Sequence, residues 1–309
     1  DNITEDFKKL NDFTPDQTTK CYETSIIVGK IDAAKNSYLI ISSKVKYIDT
    51  ILSSNIYQIL KFDYIPISLE KEMGYWESLY DDSKYLQMCD DFLARNTLYF
   101  SDTLDLTVLI KNYYMQSQDQ SRTFLGSFIF PYTIKDFCWN FNIAKSLDVK
   151  LMNEFVYPII NGFIGSAMIT EYSSPSLVRA DYFIIARKER NRSGMRFFYR
   201  GGDEKGNCAN FAEIEEILSV KETDKEKIYS FAQVRGSIPL IWNQYPNFGL
   251  NPPMHINQDY QKNKDCLKLH IEKLFMNYGD VVIVNLIDRK KQQKIIGEHY
   301  QNMIYPKLN

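Results

Sequence analysis

Histidine is scarce in this chain. His255, His270 and His299 are the only three, and their spacing suits no metal ligand set. The five cysteines, Cys21, Cys89, Cys138, Cys208 and Cys266, are odd in number, widely spread and without a Cys-x2-Cys pair. That argues against a disulfide framework and a structural zinc, and it fits a reducing compartment. Positive charge is not in excess either. A formal net charge of -2 gives no broad footprint for nucleic acid, so any anion site has to be local. No apolar run reaches the ~20 residues needed to span a bilayer. The most apolar stretch, Phe155 to Ile169, is broken by Pro158, Asn161 and Gly162 and reads as a core helix. No signal-peptide pattern is visible, and a first residue other than Met leads us to expect a trimmed or partial sequence. Internal repeats and low-complexity linkers are missing as well.

What is present is a globular composition. The chain has 309 residues, 44% of them hydrophobic and 25% charged, enough for a sizeable core and two domains. Residues 1–20 are polar and read as an arm or edge segment. Short β-rich runs follow at Ser25 to Gly29, Ser37 to Ser42 and Ile56 to Phe62, the first two spaced as a hairpin. Tyr75 to Tyr99 has helical spacing. Leu98 to Ser101 reads as a strand leading into a helix capped by Asp105 or Thr107, and Asn112 to Arg122 as a polar surface loop. Trp139 and Phe163 read as core residues. Tyr182 to Ala186 has the look of a central strand, and Lys221 to Lys227 of a charged loop. Asn263 to Tyr278 is amphipathic and helical. Asp280 to Asp288 reads as a buried strand of the parallel-sheet kind, with a helix from Ile295 to Tyr305 after it.

One stretch concentrates charge, glycine and aromatics. From Arg187 to Arg200 it carries six basic residues against one acid. Met195 to Arg200 alternates, which predicts a strand with Arg196 and Arg200 on one face, closed by a turn at Gly201-Gly202-Asp203. A second strand, Ser230 to Arg235, puts Phe231, Gln233 and Arg235 on a common face. Three guanidiniums above one sheet suit phosphate recognition, because their planar donors match its oxygens. The other reading is a solvated basic hairpin, and charge alone does not decide between them. Glu213, Glu215 and Glu216 either face solvent or partner the arginines.

A formal Cys-x5-Arg, Cys89 to Arg95, is rejected as a phosphate loop. Such loops need small residues whose N–H groups cradle the anion ahead of a helix. Here the intervening residues are bulky or acidic, and Asp90 and Asp91 repel phosphate and raise the thiol pKa.

The residues also carry a resemblance. The Arg-x-Arg-x-Gly-x-Arg-x-Phe-x-Arg-Gly run from Arg190 to Gly201 is followed by Asp203, Gly206, Ala209-Asn210-Phe211 and Glu213-x-Glu215. Together with Val234-Arg235-Gly236-Ser237-Ile238-Pro239-Leu240, Trp242 and Gln244, this resembles the Sac family of phosphoinositide phosphatases. Tyr99-Phe100-Ser101 with Asp105-Leu106-Thr107, Asp136 to Asn140 and Phe155 to Phe163 are similar to further segments of that family. The resemblance implies an α/β fold, α+β overall: a β-rich amino-terminal subdomain at residues 1–170, then the first part of an α/β catalytic subdomain at 171–309. It implies hydrolysis of an inositol-ring phosphomonoester by a cysteine nucleophile, with no metal or cofactor. The family's Cys-x5-Arg loop is absent from these residues, so no catalytic residue is assigned here, and we expect the loop to lie downstream. Headgroup contacts fall to Arg196, Arg200 and Arg235, membrane-surface contacts to Arg190 and Arg192, and turn bracing to Asn210. The implied partners are phosphatidylinositol phosphates on the cytosolic face of endoplasmic reticulum, Golgi or endosomal membranes, with a regulatory protein left open and nucleic acid disfavoured. The alternative is an inactive phosphoinositide-binding scaffold.

Overall fold

The computed structural model describes residues 25–68, 75–117, 133–147, 155–173, 176–195, 198–222, 225–245 and 252–305. The polar arm at residues 1–20, Arg196 and residues 118–122 of the expected loop lie outside them. The chain is α+β, built on an eight-stranded sheet in the order β1 to β8. The strands are β1 Ile26–Asp32, β2 Ser37–Ile51, β3 Ser54–Ser68, β4 Leu98–Ser101, β5 Ile160–Ser173, β6 Ser176–Lys188, β7 Ala212–Glu222 and β8 Lys225–Arg235. Sequence neighbours pair antiparallel throughout, as hairpins or after an excursion. β2 and β3 meet across Leu52 and Ser53, both at positive φ (48° and 68°). Two such residues give the tight turn whose twist matches a hairpin.

The two halves of the sheet bury opposite faces. β4 is buried at all four positions because it belongs to both cores. Its Leu98 and Phe100 join Ile26, Val28, Ile40, Ile59 and Phe62 beneath helix α1 (Tyr75–Arg95), which contributes Phe92 and Leu93. Tyr99 points the other way, toward Ile56, Leu106, Ile110, Ile160, Ile185 and Ile217. That second face is closed by residues 102–109 and by helix α2 (Ile110–Ser117). Only two residue pairs, Leu98 with Asn161 and Tyr99 with Ile160, join β4 to β5. In β5 to β8 the face opposite this core stays open, with Phe163 56%, Tyr229 57% and Phe231 61% exposed.

Helix α3 (Phe141–Ala144) precedes β5. After β8 come the two-stranded pair β9 (Trp242–Gln244) and β10 (Met254–Ile256), then α4 (Tyr260–Tyr278) and α5 (Lys291–Ile304). Asp259 caps α4 by accepting from the Lys262 N–H. The strands expected near residues 25–29, 37–42, 56–62, 98–101, 182–186 and 230–235, the helix from Tyr75 and the two carboxy-terminal helices are present.

Other expectations change. Residues 160–169 form part of β5 rather than a helix. Ile160 and Ile164 alternate inward, and Gly162 lies so close to β6 that a Cβ there would sit 1.8 Å from the Ala186 carbonyl oxygen. Phe163 therefore lies on the open face and is not core. Trp139 is half-buried, tilted against Phe92 and donating to the Lys188 carbonyl. Residues 221–222 and 225–227 are the paired ends of β7 and β8 rather than loop. Residues 112–117 are helical. Residues 281–288 form no strand and are largely exposed, because nothing among the described residues pairs with them.

Candidate functional site

Arg187, the first residue of the basic stretch, is fully buried. It stands on the core face of β6, opposite Glu213 of β7 in the register. Its guanidinium donates to Glu213 at 2.7 Å, to Glu215 at 2.8 Å, and to the carbonyls of Leu106 and Val108. Glu215 in turn accepts from the Ile110 N–H at the start of α2 and from the Ser230 hydroxyl on β8. Glu213 accepts from the Tyr278 hydroxyl at the end of α4. Burial alone lowers the Arg187 pKa, but the two carboxylates outweigh it and hold the guanidinium charged. Neighbouring Asp105 bonds the Thr107 N–H and hydroxyl and the Thr133 hydroxyl, although burial pushes its pKa up. Asp105 thus braces the turn before α2, and the expected cap role passes to Glu215. The cluster ties β6, β7, β8, the residues before α2 and the end of α4 together, and its three charged side chains are buried.

Residues 190–195 and 198–210 form an irregular loop, and the strand expected at 195–200 is not seen at its described residues, Met195 and 198–200. The loop locks onto the segment after β8. Gly201 donates to the Ser237 hydroxyl, Gly202 to the Leu240 carbonyl, and Ser237 to the Ala209 carbonyl. Gly201 has φ +67°, and a Cβ there would lie 2.5 Å from the Trp242 carbonyl oxygen, so only glycine fits without strain. Arg200 donates to Gln244 and lies 5.8 Å over the Trp242 ring. Arg192 donates to the Arg200 carbonyl. Asn210 braces the loop as expected, accepting from the Gly194 N–H and donating to the Tyr199 carbonyl. Arg190 goes elsewhere, to the Lys135 carbonyl and over Phe141. Arg235 ends β8 on its exposed outward face, with Phe231 and Gln233 as the period-two reading expected. The expected triad of guanidiniums is therefore not assembled on one sheet. Arg192 and Arg200 share a loop, Arg235 stands on a strand, and Arg196 lies outside the described residues. A groove of about 460 Å³ beside the loop is lined by Arg192, Asp203, Glu204, Trp242 and His255 among others. Its two acids make it a poor place for phosphate.

Sequence reasoning missed a second ion cluster. Lys273 of α4 bridges Asp136 at 2.6 Å and Glu189 at 2.9 Å. Burial lowers its pKa, but the two carboxylates more than compensate and raise it. Next to it His270 touches the Gly206 carbonyl and the Cys208 thiol, and burial depresses its pKa. The helical spacing of His270, Lys273 and Leu274 was the signal that could have shown this inward face. No described thiol is poised as a nucleophile. Burial raises the pKa of Cys89, of Cys138 to about 12, of Cys266 to about 11, and of Cys208 well above its ordinary value. Cys89 sits inside α1, not in a phosphate-binding loop. Among the described residues no group of three or more His, Cys, Asp or Glu is placed to hold a metal, and no helix is long and apolar enough to cross a membrane.

A SacI homology domain model matches residues 25–307. This chain belongs to the SacI homology domain family. The domain is 31% identical over 304 residues to an uncharacterized protein of Schizosaccharomyces pombe, covering 94% of this chain and 48% of that protein. It is 26% identical over 284 residues to phosphatidylinositol-3-phosphatase SAC1-A of Danio rerio (90% and 45% covered). It is 25% identical over 287 residues to phosphatidylinositol-3-phosphatase SAC1 of Saccharomyces cerevisiae (90% and 43%). This SacI homology domain therefore spans about half the length of the curated relatives it matches.

Proposed function

We propose that this domain is the amino-terminal platform of a phosphatase that removes a phosphomonoester from the inositol ring of phosphatidylinositol phosphates. The observation that carries this reading is the interlock of the 190–210 loop with residues 234–244. The residues that resemble the family are the ones that bond to each other. The reaction needs a thiolate to attack phosphorus, backbone N–H groups to hold the oxygens, and an arginine to offset the developing charge. The ring alcohol leaves, and water then clears the phosphocysteine. We place the nucleophile outside this chain.

Within the chain we assign headgroup contact to Arg196 and Arg235. Arg200, held over Trp242, presents the loop, while Arg190 and Arg192 spend donors on backbone carbonyls and act mainly as braces. The substrate surface is the cytosolic face of an internal membrane, endoplasmic reticulum, Golgi or endosomal. A catalytically inactive phosphoinositide-binding scaffold is the second reading.

Release of inorganic phosphate from short-chain phosphatidylinositol monophosphates tests both readings, with this chain assayed beside its parent polypeptide. Release by the parent alone supports the phosphatase. Release by neither, with binding to phosphoinositide liposomes retained, supports the scaffold. Release by this chain overturns the dismissal of Cys89. Arg196→Glu is expected to abolish liposome binding while the fold survives; unchanged binding refutes that contact.

A further inference from the structure

The face of β5 to β8 that turns away from the Arg187 cluster is built unlike a solvated one. An antiparallel sheet with one side in water alternates apolar residues inward with polar residues outward. Here most of the outward positions are apolar too. Cross-strand pairing sets Phe163 beside Ala186, Ile214 and Gln233, and the next rung sets Gly165 beside Ile184, Glu216 and Phe231. Tyr182, Leu218 and Tyr229 follow one rung further on. The Phe163 ring lies down over Gly165, where a Cβ would come within 2.9 Å of it. None of the hydrophobic clusters among the described residues includes these side chains. Phe163, Tyr229 and Phe231 are each more than half exposed.

Charge is placed at the ends of this face. Lys188 and Arg235 both pair with Ala212, so they flank it on one rung, and both are exposed. Lys227 stands at the other end, opposite Val220. Glu216 is the one acid among the described residues of the face. An apolar centre rich in aromatic rings and rimmed by cations suits the boundary layer of an anionic bilayer. There the rings sit between headgroup and chain, and the cations meet phosphate and carboxylate. We propose that the outward face of β5 to β8 docks on an anionic lipid surface. Phe163, Tyr229 and Phe231 enter the boundary layer, and Lys188 and Arg235 meet the headgroups. A second copy of the chain fits less well. Laid face to face about a two-fold axis along the strands, it sets Lys188 and Arg235 against themselves. An axis across the strands sets them against Lys227. Like charges meet either way. The inference rests on the membrane surface proposed above, not on phosphoinositide recognition or hydrolysis.

Flotation of this chain with vesicles of phosphatidylcholine and phosphatidylserine, free of phosphoinositide, tests it. The chain is expected to float with these vesicles and to stay behind with phosphatidylcholine alone. Phe231→Ser is expected to weaken binding about tenfold, because a ring is withdrawn from the boundary layer. Lys188→Ala is expected to weaken it about fivefold, the share of one cation near the surface. Met276→Ser, at an 84% exposed position of α4, is expected to change nothing. Thermal unfolding of all three variants should match wild type, since each side chain meets water. Failure to float overturns the proposal, as does equal flotation with phosphatidylcholine alone or wild-type binding by Phe231→Ser. A dimer in solution that Phe231→Ser dissolves assigns the face to a second copy and overturns it too. Flotation only after a phosphatidylinositol phosphate is added overturns this face while the proposed function stands.

Discussion

Arg187 and Arg200 lie thirteen positions apart in one basic stretch, and the structure uses them in contrasting ways. Arg187 is wholly buried, with two carboxylates and two carbonyls around it. Arg200 is half-buried on a loop, bonded to Gln244 and lying over an indole ring. A buried charge is costly to desolvate and costlier to leave without its partner. A guanidinium at the rim loses little water and keeps donors near solvent. The difference teaches that positive charge density along a sequence does not mark a ligand site. The arginine with two carboxylate partners is the one sealed inside the core.

Breaking the buried side should have the largest effect. Arg187→Ala leaves Glu213 and Glu215 buried without their cation, and denaturant unfolding should show a loss of about 3–5 kcal/mol. Next comes the interlock. Gly201→Ala forces a Cβ against the Trp242 carbonyl at a positive φ, and the same measurement should show a loss of about 1–3 kcal/mol. His270 gives a smaller, pH-dependent effect. Burial holds its folded pKa below the ordinary 6.5, so the unfolded chain takes up the extra proton first. The stability it confers is complete above pH 6.5 and declines as pH falls below that value. Unfolding followed from pH 7.5 to 5 should show wild type losing at most about 1.4 kcal/mol per pH unit more than His270→Gln. Arg235→Glu should have the smallest effect on stability, within about 0.5 kcal/mol. The same variant should weaken binding to phosphoinositide liposomes, which separates the exposed arginine's role from the buried one's.

Much of the fold was legible because its signals are local. β7 alternates buried and half-buried residues along its length, and the helices starting at Tyr75 and Tyr260 carry apolar spacing that needs no tertiary information. The Phe155 to Ile169 run misled for a physical reason. Short apolar runs fit helix and strand equally well until a partner is known, and here β6 supplies it. Met195 to Arg200 alternates in sequence as a strand does, yet the turn at Gly201 and Gly202 is fastened to Ser237 and Leu240 instead of continuing a sheet. Of the two readings left open for Glu213 and Glu215, partnering an arginine is the one the structure shows. Two acids two apart on a strand, in phase with Ile217, share its inward face and therefore require a buried cation. Arg235 on its outward face was readable from period two alone. What the loop touches after β8 was not, because those partners lie 28 or more residues further along.

The Arg187 cluster also sets an order of assembly. Its guanidinium reaches carbonyls 79 and 81 residues earlier and carboxylates 26 and 28 residues later. Contacts this distant in sequence slow folding, since long loops must close before they reward the chain. During synthesis at about 5–20 residues per second, β6 leaves the ribosome seconds before β7. Until Glu213 and Glu215 are made, Arg187 lacks both of its carboxylate partners, so the ion cluster that closes this face of the sheet forms only once β7 is in place.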